Sequence, residues 1–176
     1  MLPGIGSPFE SATQSGPVLE VELISAHARV SGTVSLGAYA RLSDLLNFHD
    51  EILTVNNAVV LNRRGIATAD AARQLGVHLD TLTLVIDRSN YVPPPGGPDA
   101  VQTQPIRVLA ITEDHVITAT MFIHPDAEPV PYLRASEPRW LPVTNVRVRS
   151  LVDRRVKFQF VFGVLHRKAV SAAAVL

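Results

Sequence analysis

Eight basic side chains fall in one stretch near the end of the chain: Arg139, Arg147, Arg149, Arg154, Arg155, Lys157, Arg167 and Lys168, against Asp153 alone. The chemistry such a cluster offers is recognition of an anion, whether nucleic-acid phosphate, an acidic lipid surface or an acidic protein. In VRVRS (146–150), Arg147 and Arg149 share one strand face. In VKFQF (156–160), Lys157 and Gln159 share one face and the phenylalanines take the other. A hairpin loop over SLVDRR (150–155) would gather Arg147, Arg149, Arg154, Arg155 and Lys157 into one positive patch, the candidate for binding an anion or a partner. The plainer reading is a solvated outer sheet face whose charges discourage edge-to-edge pairing.

Other reactive types are scattered. Of the six histidines, His115 and His124 are nine apart and face opposite sides of a continuous strand, while His124 and Asp126 flank Pro125 in a turn. No His-Glu-x-x-His, no Gly-x-Ser-x-Gly and no phosphate-cradling glycine loop is present. The chain has no Cys, which excludes disulfides, thiolate nucleophiles and cysteine-based metal sites. The Asp50 and Glu51 pair reads as surface. No residue is therefore assigned a catalytic, cofactor-binding or metal-binding role.

The elements that must position these groups write one pattern twice. VELISAH (21–27) lies over VLAITED (108–114), and RVSGTVSL (29–36) over VITATMFI (116–123), at an offset of 87. After one inserted residue, ILTVNNAVV (52–60) lies over WLPVTNVRV (140–148), placing Asn57 on Asn145. LTLVI (82–86) resembles FQFVF (158–162). Matching alternation means matching buried faces. Each copy reads strand, strand, short helical turn, strand, strand: about 18–26, 28–36, 52–61 and 80–87, then 105–112, 115–123, 140–149 and 156–165. Hairpin turns fall at Ala26-His27 and Glu113-Asp114. IATADAARQLGV (66–77) is an insertion whose composition predicts a helix over 67–76. Between the copies, YVPPPGGPD (91–99) cannot be a central strand or a helix.

The predicted fold is therefore β-rich α+β, with two pseudo-symmetric β-β-α-β-β copies packed into one sandwich- or barrel-like domain. The predicted division is a flexible tail over 1–17, a first copy over 18–90, a linker over 91–99, a second copy over 100–168 and a C-terminal tail over 169–176. Leu23, Val30, Val34, Leu36, Leu53, Val55, Ile117, Met121, Trp140, Val143, Phe158, Phe160 and Phe162 should line the core. A hydrophobic fraction of 47% with 18% charged residues suits a buried, folded chain. The formal charge of zero gives no overall pull toward nucleic acid or membrane. No apolar run nears the roughly 18 residues of a membrane helix, so no membrane insertion and a cytoplasmic, soluble protein are expected.

Within the first copy, RLSDLLNF (41–48) predicts one helical turn. Ser43 or Asp44 serves as N-cap, Asp44 favours the positive end, Leu45 and Leu46 bury, and Asn47 helps end the turn. The functional reading makes Arg41 and Asp44 a recognition pair on a loop. The stretch GTVSLGAYARLSDLLNFHDEILTVNNAVV (32–60) resembles a small, uncharacterised bacterial domain family. In that family a strand leads into an Arg-Leu-Ser-Asp-x-Leu-Asn turn, carried here by Arg41, Leu42, Ser43, Asp44, Leu46 and Asn47. The resemblance implies a β-rich module and supplies no activity; the second copy lacks the motif.

TADAARQLGVHLDTLTLVI (68–86) is similar to a MerR-type helix-turn-helix through Thr68, Ala71, Ala72, Leu75, Gly76 and Val77. That likeness implies a following helix that reads DNA. The β-branched, alternating LDTLTLVID, which has no Lys or Arg before Arg88, predicts a strand there instead. Three functions stay open. The first is a non-catalytic protein-interaction or regulatory module that assembles with itself or a partner. The second is a nucleic-acid binder using hairpin 147–157 or segment 68–86. The third is an enzyme with a pocket between the copies.

Overall fold

The computed structural model describes residues 16–49, 51–68, 70–89, 91–92, 102–135 and 137–176. The expected tail up to residue 15, linker residues 93–99 and Asp50 lie outside the described residues. The elements run β1 (Val18–Ser25), β2 (Arg29–Ser35), α1 (Leu42–Phe48), β3 (Ile52–Leu61), β4 (Ala72–His78), β5 (Leu82–Asp87), β6 (Gln104–Ile111), β7 (His115–Ile123), α2 (Pro129–Arg134), β8 (Trp140–Ser150), β9 (Lys157–His166) and β10 (Ala172–Val175). The strands form one ten-stranded sheet in the order β10-β6-β7-β8-β9-β5-β1-β2-β3-β4. Every pairing is antiparallel. A single continuous sheet thus stands where a sandwich or barrel was expected.

The first hairpin of each half turns where the sequence places it. Ser25 N–H donates to Ala28 O at 3.0 Å and Thr112 N–H to His115 O at 2.9 Å. The registers of the two halves correspond. Val21 faces Gly32, and 87 residues on Val108 faces Ala119. Leu53 faces Val77, and 88 residues on Leu141 faces Leu165. Leu84 faces Ile24, and its counterpart Ala172 faces Ile111.

The most specific correspondence is a bulge. The β2–β3 ladder slips between Ser31 and Thr33, and the β7–β8 ladder between Thr118 and Thr120. Beside the slips sit Asn57 at φ 49° and Asn145 at φ 51°. Asparagine reaches this left-handed region more readily than other side-chain-bearing residues. The extra residue inverts the alternation. Burial runs Leu53, Val55, then Ala58 on β3, and Leu141, Val143, then Val146 and Val148 on β8.

Several sequence expectations are corrected. The predicted helix over 67–76 is absent: Ala72–His78 is β4, paired with β3 from Ile52↔His78 to Ala58↔Ala72. Leu75 and Val77 pack against the core, and burial plus a backbone ladder outweighs intrinsic helix propensity. Segment 68–86 is consequently strand, 3-10 turn (Leu79–Thr81) and strand, not a helix-turn-helix. By register β9 matches β4 and β5 matches β10, a different pairing from that of 82–86 with 158–162. Each half has five strands rather than four. The fifth strand of the second half lies in 169–176, which the sequence reading left as a tail. Finally, α1 begins at Leu42 with Arg41 as N-cap and no capping side chain, so Ser43 and Asp44 stand inside its first turn.

Five is an odd number, and this shapes the molecule. Along an antiparallel sheet, a second five-stranded unit in the same order must run with every strand reversed. A rotation that keeps strand order and reverses strand direction also exchanges the two faces. The cores obey this. Val85 and Val164 belong to the core under α1, with Leu19, Leu23, Leu46 and Trp140. Leu84, Ile86 and Leu165 belong to the core under α2, with Ile117, Met121 and Val143. Neighbouring residues on a strand point to opposite faces, so the two cores lie on opposite sides of the central strands. Of the expected core, Leu23, Val34, Leu36, Leu53, Val55, Ile117, Met121, Trp140 and Val143 are buried. Val30, Phe158, Phe160 and Phe162 pack half-buried at the margins.

If Asn145 is needed for its backbone conformation, Asn145→Val will destabilise the fold by about 1–2 kcal/mol and Asn145→Gly by less. Urea denaturation of both variants measures this; equal losses would point to the amide side chain instead.

Candidate functional site

Three places gather polar or unpartnered groups: the seam between the halves, the basic hairpin, and the two outer edges of the sheet.

At the seam, α1 is tied to β8 across the halves. The Asn47 amide donates to Trp140 O at 3.0 Å and to Ser43 O at 2.9 Å, and its oxygen accepts Trp140 N–H at 2.9 Å. Asn47 therefore acts as a backbone-like strut rather than a helix stop. Trp140 is fully buried and stacks on His166, with ring centroids 4.4 Å apart. The His166 imidazole bonds Leu82 O through Nδ1 at 3.0 Å. On the opposite face of the sheet, buried Glu22 lies between Arg29 and Arg88, whose NH1 donates at 2.9 Å. The Arg29 guanidinium lies 3.9 Å over the Phe158 ring of the second half. The buried Glu22 carboxylate is thus met by two guanidiniums, as its burial requires.

A cleft of about 820 Å³ opens beside this seam, between the start of α1, the end of β5 and the β9 segment Gln159–Phe162. Its polar groups largely satisfy one another. Asp87 Oδ1 accepts the Ser89 hydroxyl at 2.5 Å and the Ser89 N–H at 2.8 Å, and the Tyr91 hydroxyl donates to Ala40 O at 3.1 Å. Arg41 lines the cleft and has no ion-pair partner among the described residues. Asp44, the other member of the expected recognition pair, does not reach it; its Oδ1 accepts the Ser43 hydroxyl at 3.5 Å. Among the described residues no three His, Asp or Glu come together as a metal-ligand set.

The hairpin assembles as the spacing suggested. Arg147 faces Gln159 and Arg149 faces Lys157 across β8 and β9. Arg154 and Arg155 stand in the connecting loop, and all five cations are exposed. The one local acid is already committed: Asp153 accepts Arg155 N–H at 3.0 Å and takes Arg64 at 2.8 Å. Those contacts hold its carboxyl below the usual range. No carboxylate among the described residues pairs with Arg147, Arg149, Arg154, Arg155 or Lys157. Arg63 bonds Asp114 at 2.6 Å, so the β3–β4 loop of the first half uses both its arginines to grip the second.

The outer edges were not singled out in the sequence, because β4 read as helix and β10 as tail. Among the described residues nothing pairs with the outer side of either strand. Comparison with family profiles, curated proteins and solved structures found no match.

Burial pushes His115 and His166 below the ordinary imidazole value of 6.5, outweighing the raising effects of Asp114 on the first and of Leu82 O and Asp80 on the second. The unfolded chain therefore takes up protons at 6.5 while the native chain does not. The stability they contribute is full above that value and is lost as pH falls toward the lowered native pKa. Thermal unfolding at about pH 7.5 and about pH 5 should show a falling melting temperature, and His166→Gln should make the fall shallower. A variant with the native pH slope would remove His166 from this account.

Proposed function

We propose that the chain is a non-catalytic protein-interaction or regulatory module, an internal duplication of one five-stranded unit, that engages protein by adding strands to its sheet edges. The observation that carries this is the pair of edges, on β4 and β10, that no strand among the described residues pairs with at the two ends of the ten-stranded sheet. An unpaired edge presents a row of backbone donors and acceptors that another strand can satisfy. The matching registers and the paired Asn57 and Asn145 bulges support the duplication. The Arg41–Asn47 turn keeps its resemblance to the small bacterial domain family, and Asn47 serves there as a brace between the halves.

Backbone N–H groups of successive strand residues point to opposite edges. Of Gln74→Pro and Leu75→Pro, one therefore removes a donor on the free side and leaves the β3 ladder whole. That variant should keep the native melting temperature and lose association, measured by light scattering and by binding to immobilised extended peptides. A native chain that neither associates nor binds any such strand would overturn the reading.

A second reading, nucleic-acid binding, is favoured by the five unpaired cations of hairpin 147–157. Single-stranded and duplex DNA titrated at rising salt should then show affinity falling by a power law, and Arg147→Glu with Arg149→Glu should flatten the slope by about two units. Unchanged binding by that variant would dismiss the hairpin.

A further inference from the structure

We propose that copies of this chain join head to tail, the free edge of β4 in one adding to the free edge of β10 in the next, in the register of the β5–β9 seam. The inference rests on the edge-binding reading and specifies its partner: a second copy.

The argument starts from what the seam is. It joins β9, the register counterpart of β4, to β5, the register counterpart of β10. The chain thus contains one made junction between two edge types and shows both of those types, unmade, at its ends. The seam pairs Leu84↔Leu165, Val85↔Val164, Ile86↔Gly163 and Asp87↔Phe162. Carried through the 88-residue correspondence, those pairs become Ala172 with Val77, Ala173 with Gly76, Ala174 with Leu75 and Val175 with Gln74 of the next copy.

The side chains fit that register. At one seam pair the large residue, Ile86, is on β5 and the small one, Gly163, on β9; a Cβ on Gly163 would lie 2.8 Å from the Ile86 side chain. In the new pairing the sizes are exchanged, with Leu75 against Ala174, so the volume at the position is conserved. Charge agrees as well. Arg41, the N-cap of α1, and Val161 both line the seam cleft. Their counterparts are Glu128, the N-cap of α2, and Arg73 on β4. Both are exposed and neither has an ion-pair partner among the described residues. The same placement brings Glu128 of one copy to Arg73 of the next. The docking would also cover Val175, now 46% exposed. Neither edge carries the proline or lysine that blunts edges against such pairing. Because the contact joins two different surfaces by a half-turn with a translation, it does not close on itself, and growth is open-ended.

The absence of native cysteine makes the test direct. Gln74→Cys with Val175→Cys, and separately Leu75→Cys with Ala174→Cys, place thiols at directly opposed positions, within disulfide reach in an antiparallel pair. Under mild oxidation each double variant should give a ladder of dimer, trimer and higher species on a non-reducing gel, while each single variant stays monomeric. Single variants that cross-link as well as the doubles would show symmetric edge pairing, sinking the head-to-tail mode and leaving edge binding intact. A native chain that light scattering finds strictly monomeric, with no cross-linked product from any variant, would remove self-association while peptide binding at the edges is judged separately. Independently, Glu128→Lys should raise the concentration for half-association by roughly threefold, and Arg73→Glu added to it should restore the native value. No effect of Glu128→Lys would refute the seating of α2 against β4.

Discussion

The antiparallel ladder between β5 and β9 is the constraint from which the rest of the molecule follows. It joins two five-stranded halves, and an odd number of alternating strands reverses the second relative to the first. That reversal puts α1 and α2 on opposite faces. It explains why the central strands are buried on both sides, so that Leu84, Val85 and Ile86 are all inaccessible in succession. A strand facing solvent on one side would alternate; these strands cannot, because each face belongs to a different core.

The same geometry sorts the polar groups. Several link the two halves or fill the middle of the sheet: Glu22 pairs with Arg29 and Arg88, Asn47 with the Trp140 backbone, and Arg63 with Asp114, while Trp140 Nε1 and His166 Nε2 are buried with no hydrogen-bond partner among the described residues. The paired groups hold the halves in one arrangement, and among the described residues of the cleft Arg41 has no ion-pair partner. Away from the seam, five cations of the hairpin have no ion-pair partner among the described residues. The hairpin cations face water, and the edge strands offer backbone. The middle of the sheet is buried on both faces, while the exposed cations and the unpaired strand edges among the described residues lie away from it. Arg29 over Phe158 marks how tightly the middle is engaged, since a cation of one half rests on an aromatic of the other.

Much of the strand pattern was legible. The alternation in VSGTVSL and ITATMFI located their strands, because a buried face restricts residue choice, and Asn57 was aligned on Asn145 without the bulge at either being foreseen. The hairpin cations were also legible, since two-residue spacing fixes their shared face. The segment ARQLGVH misled, because alanine, arginine, glutamine and leucine suit a helix when nothing else competes, and the competing influence, an open edge on β3, is not written in the segment itself. The short AAAV strand carries no alternation at all and becomes a strand only through β6. Asn47 looked like a helix terminator because its partner, Trp140, is distant in sequence.

By itself the amino-acid sequence determined which residues alternate, where the first hairpin of each half turns and which cations share a face, because these are local consequences of side-chain type and chain geometry. Only the tertiary structure decided that β4 and β10 are strands, that the halves flip about the seam, and that those two strands end the sheet among the described residues. Those outcomes depend on which strand finds which neighbour, and pairing between distant segments is settled by the ladder and core they complete together rather than by either segment alone.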